Sequence, residues 1–188
     1  METILGLCIG VGLSAACGFR VFVPLLVMSV ASLVGWFEPM QGFEWLALPA
    51  VCFGLAVATL CEISAYYIPW VDNILDTVST PAAMVAGTLA TMAVSSGEMS
   101  QFASWAAAII VGGGTAGTVQ IGTVALRALS TATTGGIGNP VVSTGEWMGA
   151  LLLSVLALIV PVLVVIVVVI MVLWALRWFK RRRSLQAQ

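Results

Sequence analysis

The chain has 188 residues, of which 61% are hydrophobic and only 8% are charged, and its formal net charge is −1. A soluble domain carries roughly a quarter charged residues, so this composition excludes an ordinary water-soluble protein. Most of the surface must face lipid, where only helices and closed barrels satisfy the backbone. The apolar runs are continuous and do not alternate as barrel strands do. We therefore expect an all-α, polytopic membrane helix bundle in a single domain, residues 1–188.

The first apolar run covers residues 3–37 and the second covers residues 45–67. As one straight helix the first run would measure about 50 Å, against a hydrocarbon core of roughly 30 Å. Gly18, Arg20 and Pro24 lie within it and are natural points for a kink or a break. The second run has the length of an ordinary span.

A short third run covers residues 81–94. Ser79 or Thr80 is expected to cap its helix, with Pro81 in the first turn. The run then either spans the membrane or re-enters it.

The fourth run, residues 102–129, is interrupted by Gly112-Gly113-Gly114, and the last run, residues 147–176, contains Pro161. Proline inside a helix removes a hydrogen bond, so we expect a kink at Pro161. Counting the third run as a span gives about five transmembrane helices.

The distribution of positive charge predicts the topology. Five of the seven basic residues lie near the C-terminus: Arg177, Lys180, Arg181, Arg182 and Arg183. Basic residues beside a span stay cytoplasmic, so residues 179–188 are expected to form a basic cytoplasmic tail. We therefore expect a multi-pass membrane protein with a cytoplasmic C-terminus.

Two halves of the chain, residues 3–95 and 102–178, resemble each other weakly. Glu44-Trp45-Leu46 matches Glu146-Trp147-Met148 at a shift of about 102 residues. Three crossings between equivalent points would invert one half, and inverted repeats with broken or re-entrant helices are typical of secondary transporters. The alternatives are a bias toward small residues and a duplication that serves only as a scaffold.

Ionisable residues inside spans are costly and are candidates for function. They are few here: Arg20, Glu62, Asp72, Asp76 and Arg127. Glu62 and Tyr66 share a helix face, and Asp72, Asn73 and Asp76 would cluster on one face of a helix.

Three interpretations of this set are open. The carboxylates form structural salt bridges with the two arginines; or the acidic cluster binds a hard cation or a proton on a transport path; or the Asp72 and Asp76 pair holds Mg²⁺ against a lipid phosphate.

A second polar patch covers residues 130–140 and contains Thr133, Thr134 and Asn139. Its hydroxyls and glycines either bind an anion beside Arg127 or form a tight loop between spans. Asn139-Pro140 and Thr80-Pro81 could each begin a helix.

Enzymatic chemistry has little support in the sequence. The chain has no His, its four cysteines lie in apolar runs without metal-ligand spacing, and no nucleophile–base pair is visible. We expect no catalytic residue, no cofactor and no nucleic-acid partner; whether a metal binds is left open.

Three segments in order resemble one known family: residues 18–24 (GFRVFVP), residues 62–77 (EISAYYIPWVDNILDT) and residues 130–140 (STATTGGIGNP). The chain resembles the bacterial membrane protein family called domain of unknown function 4126. The resemblance implies a small polytopic inner-membrane protein without an established activity. It places these residues in the family's motifs: Arg20, Glu62, Asp72, Asn73, Asp76 and Asn139.

From the residues we expect a small membrane transporter or permeation protein for an ion or small solute, with the lipid bilayer as its environment. A short chain offers few helices to enclose a path, which favours a homo-oligomer. The alternatives are an Mg-dependent membrane enzyme acting on a lipid phosphate and a non-catalytic structural or accessory subunit.

Overall fold

A computed structural model describes residues 2–68, 71–95 and 97–186, and within those ranges it describes every side chain except those at positions 72, 73, 174–176 and 178–186. The described residues form an all-helical bundle without a strand. The prediction of an all-α helix bundle is confirmed.

The elements follow one another in chain order: α1 (Glu2–Phe19), α2 (Phe22–Leu33), a 3₁₀ helix (Glu44–Ala47), α3 (Pro49–Ala65), α4 (Val71–Ala93), α5 (Gln101–Ala107), a π-helix (Ala108–Gly113), α6 (Gly114–Thr134), α7 (Asn139–Ile159) and α8 (Pro161–Gln186).

Three helices in the described part of the chain are long and apolar enough to cross a membrane: α1, the continuous helix 101–134, and α7. Shorter apolar helices accompany them. Large apolar side chains cover the outside; Phe53 and Ile110, for example, are each 73% exposed. Such a surface is stable only against lipid, so the chain is a membrane protein. The expected number of five crossings stays a prediction.

The first apolar run breaks where the sequence predicts, and the chain turns back there. Thr91 Oγ1 donates to Gly10 O, so Ala93 lies level with the first half of α1. If α2 continued along the axis of α1, Leu33 would lie about 37 Å from that level. Met40 N donates to Ala93 O at 2.8 Å, and the link from Leu33 to Met40 reaches at most about 25 Å. A straight continuation is therefore impossible.

The predicted start of the third helix is wrong. Neither Ser79 nor Thr80 caps it, because α4 begins at Val71 and Pro81 lies inside the helix. Ser79 instead accepts a hydrogen bond from Gln120 Nε2 of α6 at 2.7 Å. At about 34 Å, α4 is long enough to cross a bilayer.

The glycines of the fourth run do not interrupt it. Gly112 and Gly113 lie in the π-helix, and Gly114 begins α6 without a break in the helix. The last run starts earlier than predicted, at Asn139, and at Val160 (φ −136°, ψ 67°) it separates into α7 and α8. Pro161 thus begins a new helix, a position at which its missing N–H costs nothing.

Small residues let the central helices approach closely. A Cβ placed on Gly18 would lie 2.6 Å from Ala116 O, and one on Gly87 would lie 2.6 Å from the Ala116 Cβ. Between α1 and α4, Ser14 Oγ donates to Gly87 O at 2.8 Å. Close backbone approach and interhelical hydrogen bonds are how helices associate in lipid.

The internal repeat of residues 3–95 and 102–178 stays a prediction. Its two matched glutamates differ in surroundings, since Glu44 is exposed on the 3₁₀ helix and Glu146 is buried in α7.

Candidate functional site

Charged side chains from several helices meet near one end of the bundle. We call these five residues the ion-pair cluster: Arg20, Glu62, Asp76, Arg127 and Glu146. Arg20 lies between α1 and α2, where the chain turns back. Arg127 lies about two turns before the end of α6, and Glu146 about two turns after the start of α7. The cluster is therefore inside the bundle yet close to one of its ends.

The Glu146 carboxylate is the centre of the cluster. Its Oε2 accepts hydrogen bonds from Arg20 Nη2 at 3.0 Å and from Arg127 Nη2 at 2.5 Å. Its Oε1 accepts from Arg127 Nε at 3.1 Å. Arg127 thus holds the carboxylate with two parallel bonds, the strongest geometry for this pair. Glu146 is only 4% exposed, so water screens the attraction little.

Arg20 is fully enclosed but only partly paired. Its Nη2 also donates to Ser143 Oγ at 2.5 Å and approaches Ser143 O at 3.3 Å. Among the described residues, Arg20 Nε and Nη1 have no hydrogen-bond partner, although both atoms are buried. Buried donors without partners are costly, so this side chain retains unused binding capacity.

Tyr66 provides an aromatic surface for both arginines. The Arg20 Cζ lies 3.8 Å from the centre of its ring, and the Arg127 Cζ lies 4.1 Å from it. A ring face attracts a guanidinium, and more strongly where water is excluded. Tyr66 follows α3 directly, so the end of that helix fixes the position of both cations.

Glu62 has a different role from the other carboxylates. Its Oε1 accepts from Val21 N at 2.8 Å and its Oε2 from Phe22 N at 3.1 Å. These amides belong to the first turn of α2, whose N–H groups have no partner within the helix. A carboxylate at a helix N-terminus also interacts favourably with the helix dipole. Glu62 therefore closes the turn between α1 and α2.

Asp76 connects the cluster to the surface. It forms an ion pair with Arg127 Nη1, and its side chain is 14% exposed against 2% for Arg127. Both residues line an open cleft of about 350 Å³ between α4 and α6, together with Thr77, Val124 and Ala128. A row of ion pairs thus runs from the enclosed Arg20 through Glu146 and Arg127 to Asp76 at the cleft.

The model of the family DUF4126, a domain of unknown function, matches residues 7–181 of the chain. The chain belongs to the DUF4126 family. The resemblance seen in the three sequence segments is thereby confirmed. No curated protein and no solved structure matches this DUF4126 chain.

The structure brings together five of the residues predicted for the site of this DUF4126 protein: Arg20, Glu62, Tyr66, Asp76 and Arg127. The salt-bridge interpretation applies to Asp76 and Arg127. Glu62 bonds to backbone amides instead.

Three other predicted residues flank the turn between α6 and α7. Thr133 and Thr134 are exposed and donate to carbonyls of their own helix. Thr134 Oγ1 also accepts from Gly138 N at 2.9 Å, while Asn139 Nδ2 donates to Thr131 Oγ1 at 3.0 Å. These contacts favour the loop interpretation of residues 130–140. The Asn139-Pro140 pair begins α7, as the sequence suggests, eight residues before the apolar run that starts at Trp147.

The predicted acidic patch is only partly described. The side chains of Asp72 and Asn73 lie outside the described residues, so their roles stay predictions. Within the described part of the chain, no group of three or more His, Cys, Asp or Glu side chains is placed to hold a metal ion.

The central residue of the DUF4126 cluster, Glu146, was missing from the predicted site. In the sequence it stands just before the last apolar run, which begins at Trp147. The helix begins at Asn139 with Pro140 in its first turn. Counting from that start places Glu146 two turns inside a span, on the same face as Ser143, its neighbour three residues earlier. That count was the signal available in the sequence.

Proposed function

We propose that this protein is a small integral membrane transporter or permeation protein for an ion or small solute, and that its carboxylates bind and release a proton. One observation carries the proposal: the row of ion pairs that leads from the enclosed Arg20 to Asp76 at the open cleft.

Energetics support a functional role for these charges. Ionised side chains are expensive in a membrane and persist mainly on the paths of ions and solutes. A buried ion pair adds little stability compared with apolar residues of the same size. Packing alone therefore does not account for two arginines and two carboxylates, Asp76 and Glu146, in the interior.

Protonation fits the site better than coordination of a hard cation. Such a cation takes six or more oxygen ligands. Here both oxygens of Glu146 and both oxygens of Glu62 already accept hydrogen bonds. A proton on Asp76 or Glu146 needs no new ligand. It weakens the ion pair of that carboxylate, and the released arginine can then pair with another group.

The basic residues of the C-terminal segment support a plasma-membrane protein with a cytoplasmic C-terminus. The apolar outer face, with side chains such as Phe53 and Ile110, has room for lipid or for a second copy of the chain. We include the homo-oligomer in the proposal.

Flux in proteoliposomes tests the proposal. The full chain is reconstituted with an enclosed pH-sensitive dye, and a pH gradient is imposed in separate buffers of sodium, potassium, chloride, phosphate or short carboxylates. In at least one buffer we expect proton movement that Asp76→Asn abolishes. Asp76 is the most exposed member of the row, so this variant should still fold. Glu44→Gln, exposed and remote from the cluster, is the matched control.

Two results would overturn the proposal. One is wild-type flux equal to that of protein-free liposomes in every buffer. The other is an Asp76→Asn variant that matches wild type in the buffer where wild type is active.

A further inference from the structure

The surroundings of Glu146 have the form of a binding site for an anion. Two guanidiniums surround one carboxylate, and Arg127 binds it with two bonds at 3.1 and 2.5 Å. A planar fork of this kind is how proteins recognise carboxylate and phosphate ligands. In this structure the occupant is a side chain of the protein itself.

We infer that Glu146 occupies a binding site for a small carboxylate, which enters when Glu146 takes up a proton. This inference rests on the proposed transport function and names its substrate class. A carboxylate is favoured because the group now held there is one, and it accepts two bonds from Arg127 and one from Arg20.

The unpaired nitrogens of Arg20 are an independent observation for the site. Nε and Nη1 are buried and lack partners among the described residues, whereas Nη2 alone contacts Glu146 and Ser143. An anion that displaced the Glu146 carboxylate could bond to these additional donors. The site therefore has more N–H groups than its internal occupant uses.

Access is available beside Arg127. The cleft of about 350 Å³ is lined by Arg127 and Asp76 and opens between α4 and α6. A small carboxylate fits this volume, and the guanidinium of Arg127 connects the cleft with Glu146.

The total charge of the ion-pair cluster is the same in both states. With Glu146 ionised, the cluster holds two guanidiniums and three carboxylates, those of Glu146, Asp76 and Glu62. When a proton from water neutralises Glu146 and an external carboxylate takes its place, the total charge is unchanged. Tyr66 also faces both guanidiniums. From α8, the side chain of Val164 packs near α1, and it is apolar. The binding step is therefore electroneutral: one proton accompanies one anion.

Formate binding to the purified full chain in neutral detergent tests this inference. Saturation-transfer NMR and the shift of thermal unfolding report binding, and sodium chloride at equal ionic strength is the reference. One proton taken up per anion makes the affinity rise about tenfold for each pH unit lowered, until Glu146 is fully protonated. We expect saturable formate binding with this pH dependence in wild type.

Three variants sharpen the test. Glu146→Gln should bind formate with an affinity that no longer changes with pH, and Arg127→Gln should lose binding at every pH. Glu98→Gln, exposed and at the opposite end of the bundle from the cluster, should behave as wild type. If Glu146→Gln does not fold, the pH dependence of formate binding to wild type and the loss of formate binding in Arg127→Gln still test the inference.

Several results would overturn the inference. Formate binding that does not depend on pH, or that survives in Arg127→Gln, would do so. A thermal-unfolding shift with inorganic phosphate but not with formate would also overturn it. A shift with phosphatidate vesicles but not with phosphatidylcholine vesicles plus formate would overturn it as well, and would indicate a lipid headgroup as the ligand. If formate fails to bind while Asp76-dependent proton flux persists, the inference falls and the transporter proposal stands. If formate binds as expected but no buffer gives flux, the inference about the site stands and the transporter proposal falls.

Discussion

Replacing Glu146 by glutamine should destabilise the bundle strongly. The carboxylate accepts from Arg20 at 3.0 Å and from Arg127 at 3.1 and 2.5 Å, and it is 4% exposed. A glutamine keeps one acceptor oxygen but turns an NH₂ group toward a guanidinium. Removing one partner of a buried ion pair costs about 3–5 kcal/mol, because the remaining charge has no counterion. Arg127 retains Asp76, so Arg20 bears most of this cost.

Unfolding by SDS in mixed micelles, followed by tryptophan fluorescence, measures the free energy of unfolding. We expect Glu146→Gln to lose about 3 kcal/mol or more. Glu44→Gln is the matched control, because Glu44 is exposed and its carboxylate accepts from Gly42 N, two residues earlier. Its free energy of unfolding should stay within about 0.5 kcal/mol of wild type.

The combination Arg20→Gln with Glu146→Gln extends the measurement. If the two side chains are coupled through their direct contact, the double variant should lose less than the sum of the single losses. A Glu146→Gln variant within about 1 kcal/mol of wild type would refute the reasoning, since the two guanidiniums would then be hydrated and not enclosed.

Three further predictions concern packing, the aromatic contact and surface charge. Gly18→Ala should destabilise by about 1–3 kcal/mol, because its Cβ would lie 2.6 Å from a backbone oxygen of α6; Gly114→Ala, which meets nothing within 4 Å, should be neutral or stabilising in the same SDS titration. Tyr66→Leu should lose about 2 kcal/mol through its two guanidinium contacts, whereas Tyr66→Phe should retain most of the stability. A hydrogen bond from the Thr3 hydroxyl lowers the pKa of Glu98, so its contribution to stability is present above the ordinary value of 4.5 and is lost as the pH falls through the lowered value. Thr3→Ala should therefore return the pKa of Glu98 toward 4.5, measured by ¹³C NMR of the carboxyl carbon; an unchanged titration would contradict the contact.

The charged part of the site was predictable because charges in lipid must find one another. Arg20, Arg127, Glu62 and Asp76 were identified from their positions inside or beside apolar runs. In a medium without water each needs a partner, and few partners exist in a chain with 8% charged residues. The break near Arg20 was predictable for a similar reason, because a run of that length exceeds the thickness of a bilayer.

The start of α4 was not predictable from local rules. Ser79, Thr80 and Pro81 have the pattern of a helix N-terminus, and an isolated segment would favour a start there. The contact of Ser79 with Gln120, from another helix, occupies the hydroxyl that would have formed the cap. Proline inside the helix is tolerated because neighbouring helices can compensate for its missing bond.

Glu62 and Glu146 show how structural and functional charges can be told apart in this cluster. Glu62 satisfies the amides of Val21 and Phe22, which the turn between α1 and α2 would otherwise leave unpaired in lipid. That need accounts for its position, because two unpaired amides in lipid would be costly. Glu146 satisfies no backbone amide among the described contacts; its partners are Arg20 and Arg127.

The two arginines pair with Glu146 and contact Tyr66, and Arg20 also donates to Ser143. Two nitrogens of Arg20 have no partner among the described residues. Apolar residues of similar volume could fill the same space without the desolvation cost of four charges. A set of ionised groups that exist chiefly to hold one another needs a reason beyond folding. The reason we infer is that the set exchanges partners: a proton on Glu146 releases the guanidiniums, and an external carboxylate can take them.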